Sequence, residues 1–319
     1  MSYIRTPEER FEGLVDYPFA PNYLDINFAG LLSLRMHYVD EGPKDGPVAL
    51  MLHGEPTWSY LYRKMIPFFA SRGFRVVVPD HVGFGRSDKP LEKTMYSFKA
   101  HIDALHHLVE ELSLENITLI CQDWGGPIGL GVLAREQERF SSVVAANTML
   151  HTVEANLENR IEWSNHSVGE SDVRISEGLL AWILYSQRAP DFEASPSVAG
   201  TTVREMSSEV LAAYDAPFPD ERYKAGMRQF PALIPVTRGD EGALINQLTW
   251  SALADFRKPF LTLFSDSDPA TKGWEELFKA RVPGAAGQPH AQIERAGHFV
   301  QEDAGEELAI RILTWLGKA

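Results

Sequence analysis

The chain has 319 residues, of which 44% are hydrophobic and 23% charged, and a formal net charge of −14. That balance is ordinary for a folded globular protein and excludes a disordered chain, while the negative charge disfavours nucleic acid and anionic lipid as partners. A single cysteine, Cys121, excludes an internal disulfide and a cysteine-rich zinc site, and no apolar run approaches the ~18 residues that span a bilayer.

The N-terminal stretch carries Arg5, Glu8, Glu9, Arg10, Glu12 and Asp16. It leaves no room for the apolar core of a signal peptide, so a cytoplasmic location is expected. Val48 to Leu52 is an unbroken apolar run, and Phe74 to Val78, Ile117 to Ile120 and Pro259 to Phe264 follow it. Such runs suit central parallel strands covered on both faces. Between them, Ile102, Leu105, Val109 and Leu112 recur at helical spacing behind Ser97, a fitting N-cap. Leu308, Ile312 and Trp315 repeat the pattern near the C-terminus. The alternation predicts a mostly parallel, doubly wound α/β sheet. The rhythm breaks at 154–237, where Glu177 to Tyr185 and Ser207 to Tyr214 read as helices and no buried strand stands out. The expected organisation is a core of residues 1–153 and 238–319, with 154–237 inserted as a helical cap.

Four segments carry chemistry, each at the C-terminal end of an expected strand. Cys121-Gln122-Asp123-Trp124-Gly125-Gly126 follows one strand and opens a helix rich in glycine. It reads as a nucleophile elbow, a tight strand-to-helix turn that raises one side chain above the sheet, with Asp123 where serine is usual. Read alone, Asp123 is also a plausible helix N-cap. His53-Gly54-Glu55-Pro56 reads as the loop that lends a backbone N–H to an oxyanion hole. The donors are then the N–H groups of Glu55 and Trp124. Ser265-Asp266-Ser267-Asp268-Pro269 offers an acid, and Ala296-Gly297-His298-Phe299 a histidine, in the chain order nucleophile, acid, histidine. Pro79 to Ser87 adds a glycine-rich loop after a strand.

These segments resemble the α/β-hydrolase superfamily and, within it, the haloalkane dehalogenases. The likeness extends from Arg5-Thr6-Pro7-Glu8-Glu9-Arg10-Phe11 through the elbow to Ala216-Pro217-Phe218-Pro219-Asp220. It implies an α/β-hydrolase fold with Asp123 as nucleophile, His298 as base and Asp268, rather than Asp266, as the acid. Some relatives take the acid from the end of the preceding strand, but Asn147-Thr148-Met149 holds no carboxylate there. The resemblance also implies two tryptophans that bind the departing halide. Trp124 is one. Trp163 and Trp182 compete for the cap position, and Trp182 has the family's spacing to the Ala216–Asp220 segment. Other subgroups place an asparagine where Glu55 stands, and an ionised glutamate has no proton to donate. Phe230 and Pro231 are implied as pocket walls. The segment Glu154 to Arg174 is longer and more polar than the family's pattern.

The residues argue for the same chemistry. An aspartate is ionised at neutral pH and needs no base to attack a saturated carbon that bears a leaving group. The product is an ester on Asp123, which water activated by His298 then hydrolyses, with Asp268 orienting the imidazole. The expected substrate is a small halogenated alkane, with halide released, and no cofactor or metal is called for. His101, His106 and His107 share a helix without an i, i+4 histidine pair, and His37, His81, His151, His166 and His290 are scattered. The main alternative is an epoxide hydrolase with the same triad, for which Tyr185, Tyr214 and Tyr223 are available as acids. A non-catalytic binding protein on this fold is a third reading, disfavoured by the complete triad. The oligomeric state is not readable from the sequence.

Overall fold

The computed structural model describes residues 2–153, 164–168, 171–175 and 177–318. Two short strands near the N-terminus and after the glycine-rich loop, β1 (Tyr3–Ile4) and β6 (Lys89–Pro90), pair with each other. The main sheet draws on β2 (Asn22–Phe28), β3 (Leu32–Glu41), β4 (Val48–Leu52), β5 (Arg75–Pro79), β7 (Ile117–Asp123), β8 (Phe140–Thr148), β11 (Phe260–Ser265) and β12 (Ala291–Ile293). Its order is β12-β11-β8-β7-β4-β5-β3-β2. The six strands from β12 to β5 run parallel, and β3 and β2 close one edge as an antiparallel ribbon.

The central strands are those with continuous apolar runs. Every residue of β4 and β7 is buried, because helices cover both faces of the sheet. On those faces lie α1 (Ile66–Ser71), α2 (Phe98–Glu111), α3 (Gly125–Arg135), α8 (Glu241–Leu253), α9 (Trp274–Arg281) and α10 (Val300–Trp315). Two hydrophobic clusters result, one built on Leu50, Leu52, Leu105 and Leu119, the other on Ala49, Met51, Ile120 and Leu261. Alternate residues of one strand thus fill opposite layers, and each fully buried Leu or Ile contributes roughly 1.5–3 kcal/mol. The Ser97 hydroxyl accepts from the Ala100 N–H and caps α2, as its position ahead of the apolar stripe predicts.

Between β8 and β11 the chain forms α4 (Glu177–Arg188), α5 (Ala194–Ala199), α6 (Ser208–Asp215) and α7 (Ala225–Leu233). The two helices expected from sequence match α4 and α6. The stretch also holds β9 (Ser164–Val168) and β10 (Ser171–Ile175), which pair antiparallel in a separate two-stranded sheet. Their runs are short and polar, so a search for buried strands passes over them. The start of the insertion at 154 and Trp163 lie outside the described residues. No helix among those described is long and apolar enough to cross a membrane.

The sheet reverses its winding at β4. The chain steps from β4 to β5 on one side and returns to β7 on the other. Loops leaving the C-terminal ends of β4 and β7 therefore diverge and leave a crevice between them, the usual ligand position in an open α/β sheet.

Burial also sets how the fold responds to acid. Desolvation holds His53 below the ordinary imidazole value, His81 well below it, and His101 and His151 down to about 3. These groups are neutral in the folded chain, while an unfolded histidine titrates near 6.5. Their contribution is complete above about pH 6.5 and is lost as the pH falls toward the folded values. The melting temperature should therefore fall between pH 6.5 and 5, before most carboxylates protonate. A calorimetric series that stays flat over that interval would show that these histidines carry no such penalty.

Candidate active site

The crevice is shaped by what lies at the end of β7. Asp123 has φ of +49°, in the left-handed region that non-glycine residues seldom occupy. This backbone turns the chain from strand to α3 within one residue and raises the carboxylate above the sheet. The turn is possible because its neighbours lack side chains. A Cβ on Gly125 would overlap the Leu52 carbonyl, one on Gly126 the Thr148 hydroxyl, and one on Gly54 the Asp123 carboxylate. The Thr148 hydroxyl donates to the Asp123 carbonyl at 2.6 Å and ties the elbow to β8.

The four segments singled out from sequence meet here. The Glu55 N–H donates to Asp123 Oδ1 at 2.9 Å. His298 Nε2 stands 3.5 Å from Asp123 Oδ2, and His298 Nδ1 is 3.0 Å from Asp268 Oδ1. Asp268 also accepts from the Ala270 N–H at 2.8 Å and from the Thr271 hydroxyl. Asp266 instead faces away and accepts from the Arg295 and Ala296 N–H groups. The Trp124 N–H, at the start of α3, makes no hydrogen bond to the resting Asp123 carboxylate among the described residues.

Electrostatics follow from this crowding. Burial alone pushes the His298 imidazole down, but the Asp268 and Asp123 carboxylates outweigh it and raise His298 to about 10. Burial pushes Asp268 up, and the His298 charge and hydrogen bond, with Thr271, hold it below the ordinary carboxylate value. Glu55 is buried, its Oε1 has no partner among the described residues, and desolvation together with the Asp123 charge lifts its carboxyl well above the usual range. Burial thus favours the neutral carboxyl more than at an exposed glutamate, an effect that the sequence argument from charge does not include.

A cavity of about 340 Å³ opens above the carboxylate, lined by Asp123, His298, Glu55, Trp124, Trp182, Leu179, Ile234, Met149, His151 and Trp274 among others. Trp182 projects from α4, half-buried against Phe192 and Tyr185. The indole N–H groups of Trp124 and Trp182 have no protein acceptor among the described residues. Phe230 and Pro231, implied as walls, do not line the cavity. Phe230 is fully buried behind Trp124, ring centroids 5.0 Å apart, and Ile234, one helical turn on, takes the wall position.

Several residues were not singled out by sequence. Asn147 Nδ2 donates to the Gly297 and His298 carbonyls at 2.8 and 2.9 Å and fixes the histidine loop. Gln122 packs against the His298 ring, and its place beside the nucleophile was the available signal. His151, read as an ordinary histidine, stands on the cavity wall with its ring edge-on to Trp274. Cys121 is buried beneath the elbow, where desolvation raises its thiol, in keeping with a filling role. His106, Glu110 and Glu136 bring ligating atoms within 4.8 Å of one another, but Glu136 is ion-paired with Arg139 and none of the three lines the cavity.

Comparison with known proteins places this geometry. The alpha/beta hydrolase fold family model matches residues 47–304. A haloalkane dehalogenase of Psychrobacter cryohalolentis is 46% identical over 309 residues, covering 97% of this chain and 96% of that protein. One of Mycobacterium marinum is 44% identical over 315 residues, covering 99% and 100%. The tetrameric haloalkane dehalogenase DpaA from Paraglaciecola agarilytica NO2 superposes with a TM-score of 0.85 at 36% identity, covering 98% and 97%.

The elbow makes a sharp demand on Gly54. Gly54→Ala should displace the Asp123 carboxylate, lengthen its contact with His298 and destabilise the fold by about 1–3 kcal/mol. Thermal unfolding of the variant checks this. A variant as stable and as active as the parent would mean that the loop yields without cost.

Proposed function

The chain belongs to the haloalkane dehalogenases of the α/β-hydrolase fold, enzymes of hydrolytic dehalogenation, and we propose that Asp123, His298 and Asp268 divide that reaction between them. The substrate is a haloalkane that enters the cavity with its carbon–halogen bond in line with an Asp123 oxygen. Carboxylate oxygen attacks the carbon, the halogen leaves with the bonding pair as halide, and an alkyl ester forms on Asp123. The departing charge is received by the indole N–H groups of Trp124 and Trp182, donor-only groups on apolar rings.

Water then attacks the carboxyl carbon of the ester. His298 takes the water's proton at Nε2, and Asp268 holds Nδ1–H and so fixes the tautomer. The tetrahedral oxyanion is met by the Glu55 N–H, already 2.9 Å from Asp123 Oδ1, and by the Trp124 N–H as the oxygen shifts. Its collapse releases the alcohol and restores the Asp123 carboxylate. Esterification also prepares the base. In the free protein two carboxylates raise His298 to about 10. The ester removes one of them, so the imidazole loses its proton more readily when a base is needed.

The observation that carries this reading is the line Asp268–His298–Asp123, at 3.0 and 3.5 Å, ending in a cavity that is also lined by two indoles unpaired among the described residues. The epoxide reading lacks its acids. Tyr185 is exposed, the Tyr214 hydroxyl donates to Glu302 at 2.7 Å, and neither they nor Tyr223 line the cavity. For the organisation of the chain, 154–237 serves as the cap that brings Trp182 over the core.

Two outcomes are expected. Trp182→Phe should weaken halide binding by ~1.5–3 kcal/mol, the worth of one hydrogen bond to a charge, and slow turnover. Fluorescence quenching by bromide measures it, and parent-like binding removes Trp182 from the halide site. His298→Phe should release about one halide per active site and then stall as the ester, and Asp123→Asn should release none. In the parent, acidification should end turnover while the halide burst persists, because only the second step needs neutral His298. A burst and turnover that vanish together would contradict a covalent ester.

A further inference from the structure

Gln122 stands one residue before Asp123 at the end of β7, and no step above uses it. Its side chain is fully buried, and its amide nitrogen has two neighbours on one residue, His298 Nε2 at 3.1 Å and the His298 carbonyl oxygen at 3.2 Å. The carbonyl contact orients the amide, because only the NH2 group can donate to it. The other N–H is thereby left facing Nε2, while Gln122 Oε1 has no partner among the described residues. A buried acceptor without a partner costs stability that a methionine of similar length avoids. Packing therefore does not account for the amide. Nor does its hold on the His298 carbonyl, which Asn147 Nδ2 already satisfies at 2.9 Å.

We propose that Gln122 is a positioning residue that presents an N–H to His298 Nε2 and so favours the unprotonated nitrogen that ester hydrolysis requires. The charged groups facing His298 pull the other way, Asp268 at Nδ1 and Asp123 at Nε2, while the third titratable group near the ring, the Glu55 carboxyl, is itself pushed toward its neutral form. A donor aimed at the lone pair of the neutral imidazole disfavours the proton there. Once Asp123 is esterified, its opposing charge is gone and the Gln122 N–H acts without that competitor at Nε2. When water arrives it takes the lone pair, and the amide stays tethered through its bond to the His298 carbonyl. No atom passes through Gln122.

This role rests on the two-step reaction proposed above, so its test reads the histidine directly as well as the reaction. The His298 ring is titrated by NMR in the Asp123→Asn protein, whose neutral amide stands for the esterified carboxyl, with and without Gln122→Met. Gln122→Met should raise the midpoint by about one pH unit, a tenfold change in the neutral fraction on the acid side. With Asp123 intact, the acid limb of ester hydrolysis should move up by the same amount, and the alkyl-enzyme should accumulate. Gln122→Asn, one methylene too short to reach, should shift in the same direction and serves if the methionine variant does not fold. An unchanged midpoint in a folded variant overturns the proposal. A shifted midpoint in a protein whose parent releases no halide from any haloalkane upholds it and overturns the reaction instead.

Discussion

The structure depends on one constraint: a carboxylate must stand free above the sheet at the end of a fully buried strand. Asp123 meets it by taking φ of +49°. Such backbone is unfavourable for a residue with a side chain, by roughly 1–3 kcal/mol, and persists only where its surroundings over-determine it. Here the surroundings are β-sheet pairing before the turn, helix α3 after it, and the Thr148 hydroxyl on the Asp123 carbonyl. The glycines at 54, 125 and 126 follow from the same demand, since three pieces of backbone converge on one point. The close approach that excludes a Cβ at 54 is also what brings the Glu55 N–H to 2.9 Å from the carboxylate. Fold strain and oxyanion chemistry are thus one arrangement.

A second constraint is charge. His298 stands between Asp268 and Asp123, which favour its protonated form, and burial with the charge on Asp123 pushes the Glu55 carboxyl beside them up. Both shifts reduce the net negative charge crowded into a low-dielectric crevice. The reaction as proposed works by changing this balance. Esterification neutralises Asp123, which weakens the hold on the His298 proton at the step that needs a base. No moving part is required, because the covalent step itself alters the electrostatics.

Legibility in the sequence followed how local each signal is. The central strands and the elbow were readable because a strand buried on both faces must be apolar throughout, and a tight turn must carry small residues. Asp268 could be told from Asp266 only by resemblance, because the contact of Asp268 Oδ1 with His298 Nδ1 joins residues 30 apart in the chain. The β2–β3 ribbon was passed over because an edge with one wet face alternates polar and apolar residues and lacks a continuous run. The upward shift of the Glu55 carboxyl was invisible, since it depends on burial and on a charge 68 residues away along the chain. Phe230 was placed on the cavity wall by resemblance, but its position one turn before Ile234 on the α7 side turns it behind Trp124. Gln122 was quoted within the elbow and given no role, because its partner lies 176 residues away.

Two parts of the segment above the site are anchored in different ways. The stretch after α5 is tied to the catalytic loop itself. The His298 N–H donates to the Thr201 carbonyl at 2.7 Å, and the buried Asp303 carboxylate accepts from the Gly297, Val203 and Arg204 N–H groups. A shift of this stretch moves the base. Helix α4, which carries Trp182 and Leu179, is tied mainly to α7: Arg228 donates to the Ser186 and Ala189 carbonyls, and the Gln187 amide to the Arg228 carbonyl. None of these bonds touches the histidine loop. The bonds that hold α4 are therefore separate from those of the Asp268–His298–Asp123 line. The stretch around Thr201 has no such freedom, because a Cβ on Gly297 would overlap the Thr201 carbonyl. One side of the cavity is thus anchored apart from the histidine loop, and the other is anchored to it.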